Sequence, residues 1–151
     1  MQYPLSTLFI SAVMLGTVSF NAMATETQCM PLGGTGMANA IDATHLVASL
    51  TGSFQGGARA EILKELQTQN GLILDMEHYF FTHKGGLLRT RDKATLTNVA
   101  GRPNVYMLEI SYEIQESSGA FDGYKGGFSS AGLIELNIGE VVLRYNGKIC
   151  K

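Results

Sequence analysis

Charge is missing from the first part of this sequence. From Met1 to Thr25 there is no Asp, Glu, Lys, Arg or His, and Leu5 to Phe20 are apolar or small throughout. A run of this kind is typical of the hydrophobic region of a secretory signal peptide. Its length is also near the ~20 residues that span a bilayer, but the first basic residue is Arg59. The sequence therefore lacks the nearby Lys or Arg that normally orients a membrane anchor.

The end of this run favours cleavage over retention in a membrane. Ala22-Met23-Ala24 has small residues at the two positions that a signal peptidase reads, and no Leu-x-x-Cys lipobox precedes Cys29. We therefore expect residues 1–24 to be a signal peptide, removed so that the chain begins at Thr25. Residues 25–151 then form a single domain of ordinary size. The prediction is a periplasmic or secreted protein without a stable membrane anchor, and the alternative is an uncleaved anchor.

A large net charge and the common catalytic motifs are also absent. The formal net charge is -2, which predicts no nucleic-acid partner. Gly33-Gly34-Thr35-Gly36 is not followed by the Lys-Ser/Thr of a phosphate loop. His45, His78 and His83 lack the spacing of metal ligands, and there is no G-x-S-x-G or Cys-His nucleophile pattern. The motifs therefore predict no catalytic residue, no metal and no cofactor.

Cysteine is scarce, and the two that occur lie far apart. Cys29 and Cys150 stand near the two ends of the expected domain. An even number of cysteines in an oxidising compartment favours a disulfide, and the alternative is two free thiols. A bridge would bring the first and last parts of the domain together.

Apolar and polar residues alternate in much of the sequence. A period of two is typical of half-buried strands. It occurs in four segments: Leu46–Thr51, Leu72–Thr82, Tyr106–Ile114 and Val141–Tyr145. The longer connections are expected at 100–104 and 116–127.

The segment Ala58–Gln67 is ambiguous. Its residue types suit a helix, but Asn70-Gly71 follows it directly, and this dipeptide is typical of a type I′ hairpin turn. A hairpin needs a strand before Leu72, so a strand is favoured and a helix is the alternative. Seven or eight strands in one small domain form either a sandwich or a barrel. The Cys29–Cys150 bridge favours an all-β, closed antiparallel barrel of about eight strands in meander order over a β-sandwich.

Three stretches resemble a known family. They are His78–Asp92 (HYFFTHKGGLLRTRD), Ser118–Gly127 (SGAFDGYKGG) and Tyr145–Cys150 (YNGKIC). From about Met30 to Cys150 the chain is similar to small exported bacterial proteins with the allene oxide cyclase-like, or dirigent-like, β-barrel. The resemblance implies about eight antiparallel strands. It implies no catalytic residue, because the acidic and amide residues of the plant cyclases have no match in Met30–Ala40.

The candidate site is the interior of the expected barrel. Alternation places His78, Phe80, Tyr106 and Tyr112 on inward faces, where they would bind a ligand. Small residues at Ala48, Gly52, Ala58, Ala60 and Gly132 leave room on one side. We expect the barrel to bind a small apolar molecule. The alternatives are an isomerase or cyclase acting on an apolar substrate, a protein-interaction or inhibitory module, and a filled interior in which His78 is an ordinary core residue.

Two charged groups are expected on the outer face. Asp75 and Glu77 lie two apart on one strand and are interpreted as solvated surface charge rather than as a catalytic pair. A basic stretch comprises Lys84, Arg89, Arg91, Lys93 and Arg102. It suits either an anionic partner or, as favoured here, a solvated sheet edge that resists aggregation.

Overall fold

The computed structural model describes residues 28–151. The predicted signal peptide, residues 1–24, and the predicted new N-terminus at Thr25 lie outside the described residues. Eight strands follow one another: β1 (Cys29–Ala40), β2 (His45–Gly52), β3 (Gly56–Thr68), β4 (Gly71–Thr82), β5 (Leu87–Asn98), β6 (Val105–Ser118), β7 (Lys125–Glu135) and β8 (Glu140–Cys150). A single 3-10 turn, Gly119–Phe121, joins β6 to β7.

The strands form a closed antiparallel barrel in meander order, which confirms the predicted fold and excludes the sandwich. Each strand pairs with its successor, and β8 returns to pair with β1. The register of this last pair places Cys29 opposite Cys150, and the two are joined by a disulfide. The predicted bridge is therefore confirmed, and it lies on the seam that closes the barrel. Within residues 28–151, no helix is long and apolar enough to cross a membrane.

The ambiguous segment Ala58–Gln67 is part of β3, as favoured from the sequence. Its inward residues alternate up to Ile62, where a bulge shifts the register against β4. The hairpin to β4 is present, but the prediction of a type I′ turn is wrong. Thr68 pairs with Gly71, so the two turn residues are Gln69 and Asn70. Type I′ needs positive φ at both central residues, and in the described chain only Asn104 among non-glycine residues has it.

One predicted connection also differs in its bounds. β6 continues to Ser118 and β7 starts at Lys125, so the connection predicted at 116–127 is shorter than expected. The glycine-rich segment Gly33–Gly36, whose match to a phosphate loop was rejected from the sequence, lies inside β1. An added Cβ at Gly34 would lie 2.4 Å from the Tyr145 hydroxyl, so at this position glycine serves the close approach of a neighbouring side chain.

The two ends of the barrel differ. The disulfide end carries the connections 53–55, 83–86 and 119–124 together with the bridge, whereas the opposite end carries 41–44, 69–70, 99–104 and 136–139. Near this opposite end the inward residues Ala38, Leu46 and Ile62 are only partly buried. We call it the open end.

Candidate functional site

Aromatic rings fill the interior at the disulfide end. Phe54, in the connection between β2 and β3, is fully buried. Its ring centroid lies 5.2–5.6 Å from those of four other rings, which belong to Phe80, Phe121, Phe128 and Tyr145. Aromatic pairs at such distances add attraction to the apolar burial. This cluster closes the disulfide end, and sequence alternation did not reveal Phe54 because it lies in a loop.

A cavity of about 70 Å³ lies in the barrel interior, between this cluster and the open end. Small side chains line it on the side of β1, β2 and β3, where Ala38, Ala48, Ala58 and Ala60 leave space that larger residues would fill. The small residues expected at Ala48, Ala58 and Ala60 therefore do create room, while Gly52 and Gly132 lie outside the lining. The volume exceeds the roughly 10–15 Å³ that one water needs but is well below the ~300 Å³ of drug-sized pockets. It suits a slender or very small molecule.

Three of the four predicted site residues line this cavity. His78 and Phe80 of β4 and Tyr112 of β6 line it, and the first two are cross-strand neighbours of Ala60 and Ala58. Tyr106 does not line it. This residue is the second of β6 and lies near the open end, partly buried and opposite Asn98 and Ile134. Alternation predicted its face correctly, but the cavity is lined by its cross-strand neighbour Ile134 and not by Tyr106 itself.

His78 has a partner that the sequence analysis missed. Its Nδ1 lies 2.7 Å from Oδ2 of Asp92, and the Asp92 side chain is completely buried. The alternation of β5 does indicate that Asp92 points inward, because Leu88, Thr90, Asp92 and Ala94 alternate with outward residues. It was overlooked because Asp92 lies among basic residues that were interpreted as a solvated stretch. Burial of a carboxylate is costly unless it is paired, and here the pairing group is the imidazole.

Two polar atoms beside this pair lack hydrogen-bond partners within residues 28–151. They are Oδ1 of Asp92 and Oγ1 of Thr90, which faces His78 directly across the β4–β5 ladder. A buried polar atom without a partner costs about 1–3 kcal/mol. Native interiors contain few such atoms. Both atoms therefore lower the stability of the fold unless another group bonds to them.

Tyr112 supplies a neutral hydroxyl close by. Its oxygen is 2.9 Å from Oγ of Ser130. Burial raises the pKa of Tyr112 above its ordinary value of 10, and the negative charge of Asp92 raises it further, while the hydrogen bond to Ser130 opposes both effects. Tyr112 thus stays protonated at neutral pH. The cavity wall offers one imidazole edge and one phenol in otherwise apolar surroundings.

Two of the three basic residues of β5, Arg89 and Arg91, form ion pairs across strands. Arg89 bonds to Glu77 on β4 at 3.0 Å and to Glu116 on β6, and Arg91 Nε lies 3.2 Å from Glu77. Burial works to raise the pKa of Glu77, but hydrogen bonds from Arg89 and Tyr79 and the nearby Arg91 charge lower it below its ordinary value. The expectation that this stretch forms a sheet edge is wrong, because β5 has a neighbouring strand on both sides. Asp75 is exposed, as expected for a surface carboxylate.

The outer face also carries a row of exposed apolar side chains. It consists of four successive cross-strand neighbours, each 43–66% exposed: Met107 on β6, Leu133 on β7, Val142 on β8 and Met37 on β1. Contiguous exposed apolar residues are typical of protein contact surfaces. This row was not visible in the sequence, because its members come from four separate segments.

Comparison with protein-family models, curated proteins and solved structures found no match to this chain.

Proposed function

We propose that this protein binds a small apolar molecule in the barrel cavity. The observation that carries the proposal is the cavity of about 70 Å³, which is lined by four alanines together with His78, Phe80 and Tyr112. Ligand sites are mostly apolar with a few placed polar groups, and this wall has that character. The size of the space favours a molecule of a few carbon atoms, or the end of a longer chain entering from the open end.

We further propose that the protein acts in the periplasm or medium. The Cys29–Cys150 disulfide supports this, since disulfides persist in oxidising compartments. The resemblance of residues 30–150 to exported allene oxide cyclase-like barrels agrees with it. Intact mass of the protein from a periplasmic extract or from the medium tests the location and the predicted start at Thr25. An uncleaved mass in a membrane fraction contradicts both.

Binding is tested with benzene and 1-methoxybutane as small apolar probes. Methyl NMR signals of Leu46, Met76 and Ile110, which line the cavity, should shift as either probe is added. Ala60→Leu should fill the space and abolish the shifts. Ala131→Leu is the matched control, because Ala131 is exposed on the outer face of β7. Wild-type protein whose cavity signals do not respond to either probe would overturn the proposal.

The His78–Asp92 pair favours a second candidate, an isomerase acting on an apolar substrate. An imidazole oriented by a carboxylate is a suitable general base. His78 would take a proton from the carbon between a carbonyl and a double bond, and the same proton would return to the far end of the double bond. The electron pair moves within the substrate, so no oxidant or reductant is needed.

This activity is tested with cyclohex-3-enone, whose conversion to the conjugated enone is followed by ultraviolet absorbance. His78→Gln should abolish any conversion above buffer while leaving binding of 1-methoxybutane in place. A wild-type rate equal to that of buffer contradicts the isomerase candidate. If the apolar probes also fail to bind, the exposed row Met107, Leu133, Val142 and Met37 becomes the surface to test for protein interaction.

A further inference from the structure

We propose that the Nε2 atom of His78 accepts a hydrogen bond from the ligand, so that the cavity selects small apolar alcohols over hydrocarbons, ethers and anions of the same size. This rests on the proposed function and specifies its ligand class. Asp92 is the positioning residue, because it orients the imidazole without lining the cavity itself.

The orientation of the ring follows from its one hydrogen bond. Nδ1 points to Asp92, whose side chain has no solvent exposure, whereas 11% of the His78 side chain is exposed. The edge that faces the cavity is therefore the one away from Asp92, and this edge carries Nε2. Ala60 lies directly across the β3–β4 ladder from His78, so a small side chain leaves that flank of the ring accessible.

The proton position follows from the chemistry of the partner. An ionised carboxylate only accepts hydrogen bonds, so we assign the hydrogen of the neutral ring to Nδ1, which leaves a lone pair on Nε2. Within residues 28–151, Nε2 has no hydrogen-bond partner, since the bond to Asp92 is the only one that the ring makes. The ring has two aromatic neighbours, the Phe80 ring stacked at 5.5 Å and the Tyr112 ring steeply inclined at 5.2 Å. Because Nδ1 is bonded to Asp92, Nε2 is the ring nitrogen that remains for a ligand.

The surroundings decide which ligand suits this acceptor. A hydrocarbon would displace water from Nε2 without donating a hydrogen bond in its place. Leaving this acceptor without a donor costs about 1–3 kcal/mol of binding free energy. An ether has the same defect, because it can only accept. An anion would lie close to the buried negative charge of Asp92 in a medium that screens charge poorly. A neutral hydroxyl satisfies Nε2, and its alkyl part contacts the alanine wall.

The unpartnered atoms beside the ring support a functional role for the pair. Oδ1 of Asp92 and Oγ1 of Thr90 are buried without partners, so replacing this polar group by apolar side chains would remove two sources of instability. A polar group that is buried at such a cost is typical of a binding or catalytic site. Because His78 faces the cavity, the role that we assign to the pair is to accept a hydrogen bond from a ligand there.

The test compares 1-pentanol with 1-methoxybutane, two isomers of similar shape of which only the alcohol can donate a hydrogen bond. Wild-type protein should bind 1-pentanol about tenfold more tightly, as expected for one satisfied hydrogen bond. Pentanoate, which has a similar chain length, should bind more weakly than either. His78→Phe should bring the affinities for the alcohol and the ether together. Asp75→Asn is the control, since it removes an exposed carboxylate from the outer face of the same strand.

The role of Asp92 is tested by the nitrogen NMR signals of the His78 ring. In wild-type protein they should show hydrogen on Nδ1 and an Nε2 signal that moves when 1-pentanol binds. Asp92→Asn should move the hydrogen to Nε2 in part of the molecules and reduce the preference for the alcohol. A wild-type ring with hydrogen on Nε2 would overturn the inference even if neither variant folds. Equal affinity for 1-pentanol and 1-methoxybutane would overturn the inference while leaving the proposed function intact. If neither compound binds, the inference and the proposed function are both contradicted.

Discussion

The hydroxyl of Tyr145, on the last strand, accepts a hydrogen bond from the backbone N–H of Phe54 at 2.9 Å. The same hydroxyl donates to the carbonyl of Thr51 at 2.6 Å. Two bonds from one side chain thus hold the connection between β2 and β3 against β8. Because Phe54 is the centre of the aromatic cluster, these bonds also keep the disulfide end of the barrel closed.

We expect Tyr145→Phe to lower the free energy of unfolding by about 1–3 kcal/mol, because it leaves the buried N–H of Phe54 without an acceptor. Urea unfolding followed by circular dichroism measures the change. Tyr124→Phe is the matched control, since Tyr124 is also buried but its hydroxyl makes no hydrogen bond in the described part of the chain. Equal stability of the two variants would show that the bonds of Tyr145 contribute nothing.

The glycine opposite Tyr145 should tolerate no side chain. At Gly34 an added Cβ would lie 2.0 Å from the carbonyl oxygen of Thr51 and 2.4 Å from the Tyr145 hydroxyl. We expect Gly34→Ala to destabilise the protein by about 1–3 kcal/mol or more, as overpacked cores do. At Gly33 the nearest atom would be 4.0 Å away, so Gly33→Ala is the control and should be nearly neutral. Thermal unfolding of the pair checks this, and a stable Gly34→Ala variant would contradict the geometry.

Reduction of the disulfide should lower the melting temperature. The bridge spans a sequence separation of 121 residues, and constraining an unfolded chain over such a length contributes up to roughly 4–5 kcal/mol in the chain-entropy model. The Cys29→Ser, Cys150→Ser double variant should show the same loss, but β1 and β8 should still pair. Calorimetry with and without reductant measures it. Thiol titration of the unfolded, unreduced protein should find no free thiol, and two thiols would disprove the bridge.

Asp42 should titrate far below other aspartates. The backbone N–H of Thr44, the side chain of His45 and its backbone N–H all bond to this carboxylate and lower its pKa from 3.8 to about 2. Because the folded state favours the ionised form, this contribution to stability is complete above pH 3.8 and is lost as the pH falls toward 2. Carbon NMR of the carboxyl group measures the pKa directly. Asp42→Asn should remove this part of the pH dependence, and a measured pKa near 3.8 would contradict the turn geometry.

Much of the fold was predictable because strand alternation is a local property. The alternation in β2, β4, β6 and β8 marked each strand and its inward face. The disulfide prediction needed only an even cysteine count and an oxidising compartment, and it correctly favoured closure of the barrel. The turn type at Asn70-Gly71 was wrong because a turn also depends on the register of the strands that it joins, and Thr68 pairs with Gly71.

The candidate site was predictable only in part. His78, Phe80 and Tyr112 were found from alternation within single strands, and they do line the cavity. Tyr106 has the right face but does not line the cavity, although its cross-strand neighbour Ile134 does. Asp92 was missed because its neighbours along the chain are basic, and its significance depends on the strand beside it.

The sequence by itself determined which residues of β2, β4, β6 and β8 point inward and that a disulfide would join the two ends, because both depend on residue type and spacing along the chain. Only the tertiary structure decided that Asp92 meets His78, that Phe54 closes one end and that four alanines lie together beside a cavity. Each of these relationships joins residues on different strands or loops. Their distances are set by strand register and barrel closure, which no single segment of the sequence specifies.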